Sequence, residues 1–205
     1  MMAKLKVAVF ASGNGTNFQA LADGARDGRI DAEIRLLICD KPGAPVIGRA
    51  EAAGIETYVF RPRDYPSREA YEREILAELE RRGVELVVLA GYMRIVTPVL
   101  VDAYYGRMIN VHPSLLPAFP GLNAIGQALD YGVKVTGVTV HFVDGGLDSG
   151  PVIAQEALAV EPDDTWETLA ARIHPIEHRL LLQVVQQFAE GRIRLDGRRV
   201  TIGKQ

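Results

Sequence analysis

The strongest restriction on how this chain can fold is an alternation along its first half. Short, apolar, β-rich runs at residues 5–11, 35–39, 57–60, 86–90 and 108–111 are separated by segments of helical period, the pattern of a parallel sheet with helices on its faces. Strands that are apolar at nearly every position are strands buried on both faces. The intervening segments 17–26, 45–53 and 68–82 read as helices. The last opens at Ser67, closes at Gly83 and carries Tyr71, Ile75, Leu76 and Leu79 on one face, which supplies a cap, a stop and a buried stripe. Thr97-Pro98 is a cap followed by a first-turn proline, so a short helix should run over 98–103. Residues 91–96 then lie at the C-terminal end of a strand.

After residue 111 the pattern changes. Residues 136–143 alternate, with Val138, Val140 and Phe142 on one side and Thr139, His141 and Val143 on the other. A glycine-rich loop over 144–150 leads into 152–160, which suggests an antiparallel pair. Trp166, Leu169, Ile173, Leu180, Val184 and Phe188 recur at helical spacing, and Pro175 is expected to kink or divide that helix. A hairpin over 193–202 should turn at Asp196-Gly197. The expected fold class is α/β: a Rossmann-like, mostly parallel sheet with flanking helices and an antiparallel C-terminal portion, in one domain over 1–205.

Composition narrows the function classes. The chain has 205 residues, 48% of them apolar, enough for one sizeable core. Its 23 basic and 26 acidic residues give a net charge of −3, so no overall basic field draws it to nucleic acid. The single cysteine, Cys39, closes no intramolecular disulfide and reads as a core thiol in a reducing compartment, which points to the cytoplasm. No apolar run reaches the ~18 to 20 residues of a membrane span. Lys4 and Lys6 precede an apolar stretch shorter than the ~7 residues of the smallest signal-peptide core, so the N-terminus reads as a first strand.

Two places join glycine or strand geometry to chemistry. Ser12-Gly13-Asn14-Gly15-Thr16-Asn17 follows the first strand and opens the first helix. There, unpaired N–H groups and close backbone approach suit a phosphate or carboxylate; a tight turn would use the same glycines for the backbone alone. Phe18 stands where a dinucleotide fingerprint needs its third glycine, and no Walker-type ending is present. Asn110 and His112 are two apart at the end of the fifth strand, so they share a face at the sheet edge where open α/β folds bind ligands. An amide donor beside a protonatable imidazole is the equipment of acyl transfer. A buried pair satisfied by backbone is the plain alternative.

The loop over 144–150 carries Asp144 and Asp148 without the calcium-loop pattern. A carboxylate near His112 would favour the imidazolium and orient it, and spacing leaves open which aspartate does so. His174 and His178 lie one turn apart, but Pro175 occupies the position of a zinc protease's glutamate and no third ligand is evident, so no metal is expected. His141 reads as a polar strand residue on the face of Thr139, with a site role as the alternative. Arg192, Arg194, Arg198, Arg199 and Lys204 lack interleaved aromatics and read as a solvated edge, not an RNA surface.

Taken together, residues 12–17, Gly91-Tyr92-Met93-Arg94-Ile95, the 109–117 segment around Asn110-Val111-His112-Pro113, Phe119-Pro120-Gly121 and Leu147-Asp148-Ser149-Gly150-Pro151 resemble the glycinamide ribonucleotide formyltransferases in order and spacing. The resemblance spans nearly the whole chain. It implies formyl transfer from 10-formyltetrahydrofolate, a co-substrate, to the amine of glycinamide ribonucleotide, with no metal. By the same resemblance Asn110, His112 and Asp148 are catalytic, and Gly15, Thr16 and Asn17 bind the substrate phosphate. Glu177 would contact the ribonucleotide. Arg68, Met93, Arg94, Ile95 and Val96, with Asn110 and the loop residue Asp144, would take the folate. The phosphate-binding half would cover about 1–104, the catalytic and folate-binding half about 105–190, and the terminal hairpin about 191–205.

The resembling enzymes commonly carry histidine where this chain has Asn123, and often serine where it has Thr139, which keeps the hydroxyl. Formyltetrahydrofolate deformylases and methionyl-tRNA formyltransferases carry an additional domain for which this chain has no room. A non-catalytic nucleotide-binding module is the alternative of a different class. The expected partners are small molecules, without nucleic acid or membrane, for a monomer or homodimer.

Overall fold

The computed structural model describes residues 3–204. Strands β1 (Leu5–Phe10), β2 (Ala32–Cys39), β3 (Thr57–Val59), β4 (Leu86–Leu89), β5 (Met108–His112), β6 (Val135–Phe142) and β7 (Val152–Ala159) form one sheet, in the order β3-β2-β1-β4-β5-β6-β7. The first five are mutually parallel, while β6 runs antiparallel to both β5 and β7. Helices α1 (Thr16–Arg26), α2 (Pro45–Ala52), α3 (Arg68–Arg81), α4 (Pro98–Ala103), α5 (Ala124–Tyr131) and α6 (Trp166–Ala189) flank it. A separate hairpin, β8 (Ile193–Asp196) and β9 (Arg199–Ile202), follows.

Strand periodicity sorts side chains into two cores. Val7 and Val9 face one way, with Phe18 and Leu21 of α1, Val46 of α2 and Ile173, Leu181 and Val184 of α6. Ala8 and Phe10 face the other, with Tyr71, Ile75 and Leu79 of α3 and Leu100 of α4. Both faces are covered, which is why β1 and β4 read as unbroken apolar runs. Each buried Leu, Ile or Phe contributes about 1.5 to 3 kcal/mol relative to exposure. Two caps act as read: Ser67 accepts the Ala70 N–H at the start of α3, and Thr97 accepts that of Val99 at the start of α4.

The chain leaves β1 toward β2 and β3 on one side, then returns to place β4 on the other. The order therefore reverses at β1 and β4, and a crevice opens beyond their carboxyl ends.

Four details differ from the sequence reading. Strand β2 begins at Ala32, because Glu33 and Arg35 alternate outward before the unbroken apolar run starts. Helix α5 was not expected; it begins at Asn123, whose left-handed backbone (φ 54°) and Oδ1, accepting the Gly126 N–H at 3.3 Å, make an N-cap. Helix α6 continues undivided through Pro175. That proline lies on the exposed side, where the Ala171 carbonyl it leaves without a helical donor can meet water. In the terminal hairpin Asp196 pairs with Arg199, so the turn is Gly197-Arg198, one residue later than expected.

Candidate active site

The crevice is a cleft of about 610 Å³ whose walls come from the start of α1, the ends of β4 and β5 with the loop after β4, the loop after β6, and helices α5 and α6. Its first wall is built around Asp40, at the end of β2. The Asp40 side chain is fully buried, and its Oδ2 accepts Arg94 Nε at 2.8 Å. Its Oδ1 accepts the Ser12 hydroxyl at 2.5 Å, and Ser12 Oγ in turn accepts the Met93 N–H at 2.9 Å. The far end of the same loop is held by Glu72 of α3, which accepts the Thr97 N–H at 3.0 Å and its hydroxyl at 2.5 Å. Residues 91–96 are thus fixed from both ends, with Met93 and Ile95 left half-exposed.

Where α1 begins, Gly15 has φ 77° and no side chain caps the helix. A Cβ on Gly15 would fall 2.3 Å from Val46 Cγ2, so glycine is required for packing against α2 as well as for the turn. Thr16 and Asn17 line the cleft. The Asn17 Oδ1 is buried and has no hydrogen-bond partner among the described residues.

The second wall centres on Asp148. Antiparallel pairing of β5 with β6 sets Asn110 opposite His141 and His112 opposite Thr139. Asn110 Nδ2 lies 3.2 Å from His141 Nε2 and 3.4 Å from Asp148 Oδ1. His112 Nδ1 stands 3.6 Å from Asp148 Oδ2, and its Nε2 lies 2.8 Å from the Phe119 carbonyl. A carbonyl can only accept, so Nε2 carries a proton, and both ring nitrogens face oxygen acceptors. By the same logic His141 Nδ1 donates to the Phe142 carbonyl at 2.7 Å, and its Nε2 is 3.7 Å from Asp148 Oδ1.

Asp148 is held in a left-handed conformation (φ 49°) and accepts the Gly121 N–H at 2.7 Å. Burial pushes its carboxyl up, but the His141 ring, the Gly121 N–H and the charge of His112 outweigh burial and hold it below the ordinary aspartate value. Asp144 instead closes its own loop, accepting the Gly146 N–H at 2.9 Å and the Ser149 hydroxyl at 2.7 Å. The aspartate that meets His112 is therefore Asp148.

From α6 the cleft receives Trp166, His174 and Glu177. Trp166 Nε1 donates to Asn123 Oδ1 at 3.1 Å, which joins the starts of α5 and α6. Of the residues singled out in the sequence, Thr16, Asn17, Met93, Arg94, Ile95, Val96, Asn110, His112, Asp144, Asp148 and Glu177 all line the cleft. Gly15 and Arg68 do not; the Arg68 guanidinium meets the Ile95 carbonyl at 3.4 Å. Sequence reasoning missed Asp40 and left His141 open. An acid directly after an unbroken apolar strand, and a histidine that register sets opposite Asn110, are the signals that would find them. His178 lies outside the cleft, and among the described residues no group of three or more His, Cys, Asp or Glu is placed to hold a metal ion.

A family model described as Formyl transferase matches residues 5–185, a span that contains every residue lining the cleft. The chain belongs to the formyl transferase family. Membership implies a folate-type formyl donor. Phosphoribosylglycinamide formyltransferase of Bacillus subtilis is 51% identical over 183 residues, 89% of this chain and 94% of the relative. The Escherichia coli protein of the same name is 40% identical over 203 residues, 96% of each chain. In three dimensions, glycinamide ribonucleotide transformylase 1 from Symbiobacterium toebii matches with a TM-score of 0.97 and 46% identity, over 100% of this chain and 96% of that one. The formyl transferase fold, with its parallel sheet and antiparallel end, is the one expected. Among the described residues no helix is long and apolar enough to cross a membrane.

Proposed function

We propose that this formyl transferase moves the formyl group of 10-formyltetrahydrofolate onto the primary amine of glycinamide ribonucleotide, a step of purine biosynthesis. The observation that carries this reading is the meeting of Asn110, His112 and Asp148 in a cleft that also takes in the start of α1. Relatives named for this reaction that match along nearly their whole length support it.

Attack of the neutral amine on the formyl carbon makes one C–N bond and leaves negative charge on the formyl oxygen. Donors fixed in advance stabilise such charge without reorganising. Asn110 and His112 are those donors, and Asp148 balances an imidazolium at His112. The Nε2–H of His112 becomes available as the ring exchanges the Phe119 carbonyl for the reacting group. Collapse breaks the bond to the folate nitrogen, and the proton lost by the attacking amine ends on that nitrogen, with His112 as the acid. Thr16 and Asn17, at the start of α1 with Gly15, take the substrate phosphate, and Glu177 takes the ribonucleotide. Met93, Arg94, Ile95 and Val96, with Asn110 and Asp144, take the folate, whose flat ring suits the half-exposed Met93 and Ile95. Arg68, whose guanidinium meets the Ile95 carbonyl, completes that set.

Both halves of the chain supply the cleft, and we read 1–205 as one functional unit. It acts in the cytoplasm on small molecules, as monomer or homodimer, without metal or nucleic acid. The test is consumption of 10-formyltetrahydrofolate by the purified protein with and without glycinamide ribonucleotide, with products identified by mass. Turnover that requires the amine is expected, and His112→Ala should lower kcat at least ~100-fold. Formate released without the amine would put hydrolysis in its place, and no reaction with either would leave a binding module.

A further inference from the structure

We propose that His174 is a positioning residue for the ribonucleotide substrate, pairing with Glu177 and holding that carboxylate at the cleft surface where the ribonucleotide binds. This rests on the reading of the substrate given above. Glu177 is three residues after His174 on α6, the spacing at which helical side chains meet. His174 Nδ1 lies 2.7 Å from Glu177 Oε2, with the carboxylate side chain 7% exposed and the ring 44% exposed. Both line the cleft.

A carboxylate this buried needs a compensating partner, and His174 supplies one. The arrangement leaves Glu177 in place as an acceptor before any substrate arrives. A carboxylate held in place as an acceptor suits a ligand rich in hydroxyl donors, such as a ribose.

The Glu177 hydrogen bond raises the His174 pKa above the ordinary histidine value, and burial opposes it less strongly. Glu177 is the charged group acting on this ring. The neighbouring His178 is lowered chiefly by burial, against the pull of Glu177 and with the repulsion of His174. Tyr92, Arg94, His112, His141, Asp144 and Asp148 are the other titratable groups on the cleft walls. As pH rises through the raised value, His174 loses its charge and the pair weakens, so ribonucleotide binding should weaken on the alkaline side while the chemical step is untouched.

The experiment compares wild type, His174→Leu and His174→Gln between about pH 6 and pH 9, the window in which a raised histidine titrates. It measures the KM of glycinamide ribonucleotide, kcat, and calorimetric affinity for the ribonucleotide without folate. In wild type, KM should climb with pH, and the pH profile of kcat, which the chemistry at His112 governs, should be the same in wild type and both variants. His174→Leu should raise KM about tenfold, the size of one charge-assisted hydrogen bond, and flatten its pH dependence. His174→Gln keeps an amide donor for Glu177 without titrating, so it should recover most of the affinity and stay flat. Either variant with wild-type KM and wild-type pH slope overturns the proposal, and His174→Gln decides should the leucine variant not fold. A wild-type protein that does not turn over glycinamide ribonucleotide fails the substrate reading instead, which separates the two.

Discussion

The two walls of the cleft are each built around one aspartate, buried in the first and partly buried in the second, and they differ in how it is satisfied. Asp40 has a side chain 0% exposed, and both its oxygens are met by short bonds, from Ser12 at 2.5 Å and Arg94 at 2.8 Å. Asp148 is 12% exposed and has one short bond, from the Gly121 N–H at 2.7 Å. It faces Asn110, His112 and His141 at 3.4, 3.6 and 3.7 Å, in a left-handed backbone that glycine would adopt more readily. Saturated short bonds hold a loop still. Longer contacts to ionisable rings leave a carboxylate able to respond when a partner gains or loses a proton. Low side-chain exposure is common to both, so partner type and distance separate a scaffold carboxylate from a chemical one.

The largest effect that tests this contrast is Asp148→Asn. The amide can still accept the Gly121 N–H, so the loop should stay in place while the charge facing His112 is lost. Turnover should fall by about 100-fold or more. A second readout is acid stability. The Asp148 pKa is depressed, so its contribution is complete above the ordinary aspartate value of ~3.9 and is lost as pH falls through the lower folded value. Urea midpoints of Asp148→Asn should lack that part of the acid slope. Wild-type turnover in this variant would erase the distinction between the walls.

A smaller and different effect is expected from Asp40→Asn. An amide in that buried place satisfies one of Ser12 and Arg94 only by turning its NH₂ toward the other, at a cost of about 1 to 3 kcal/mol in urea denaturation. The loop over 91–96 should loosen, raising the KM of the formyl donor several-fold, by about 3- to 10-fold for a loss of that order. The ribonucleotide KM and kcat should hardly move. Loss of kcat at unchanged donor KM would place Asp40 in the chemistry and break the comparison from the other side.

How far each wall was legible follows from the range of the forces that build it. The parallel half rests on local signals: unbroken apolar runs, the Ser67 cap and the Thr97-Pro98 start, each readable within a few residues. Asn110 and His112 were legible because two residues apart on a strand is a fixed geometry. Helix α5 was not, since its cap needs a left-handed Asn123 that also bonds Trp166, 43 positions away. The choice between Asp144 and Asp148 depended on Asp144 closing its own turn, which spacing does not reveal. Asp40 acts through Ser12 and Arg94 in the loops after β1 and β4, and His141 through Asn110 on the neighbouring strand, so strand order and register identify their partners.

The smallest effect concerns what stands behind the second wall. Register sets Thr139 opposite His112, and its side chain is fully buried. The hydroxyl donates to the Ser114 carbonyl at 2.7 Å and accepts from Leu116 N–H at 3.1 Å and Gln155 Nε2 at 3.0 Å. It therefore ties down the chain just after His112, and the hydroxyl, not the methyl, makes those bonds. Thr139→Ser should cost about 1 kcal/mol for one buried methyl, with kcat and both KM values unchanged. Thr139→Val is the control: it keeps the shape but strands the Ser114 carbonyl and Leu116 N–H, costing about 1 to 3 kcal/mol. If the serine variant loses turnover while the valine variant keeps it, packing rather than hydrogen bonding holds His112. The second wall would then be supported by its core, and the contrast with the hydrogen-bonded Asp40 wall would extend from the aspartates to what lies behind them.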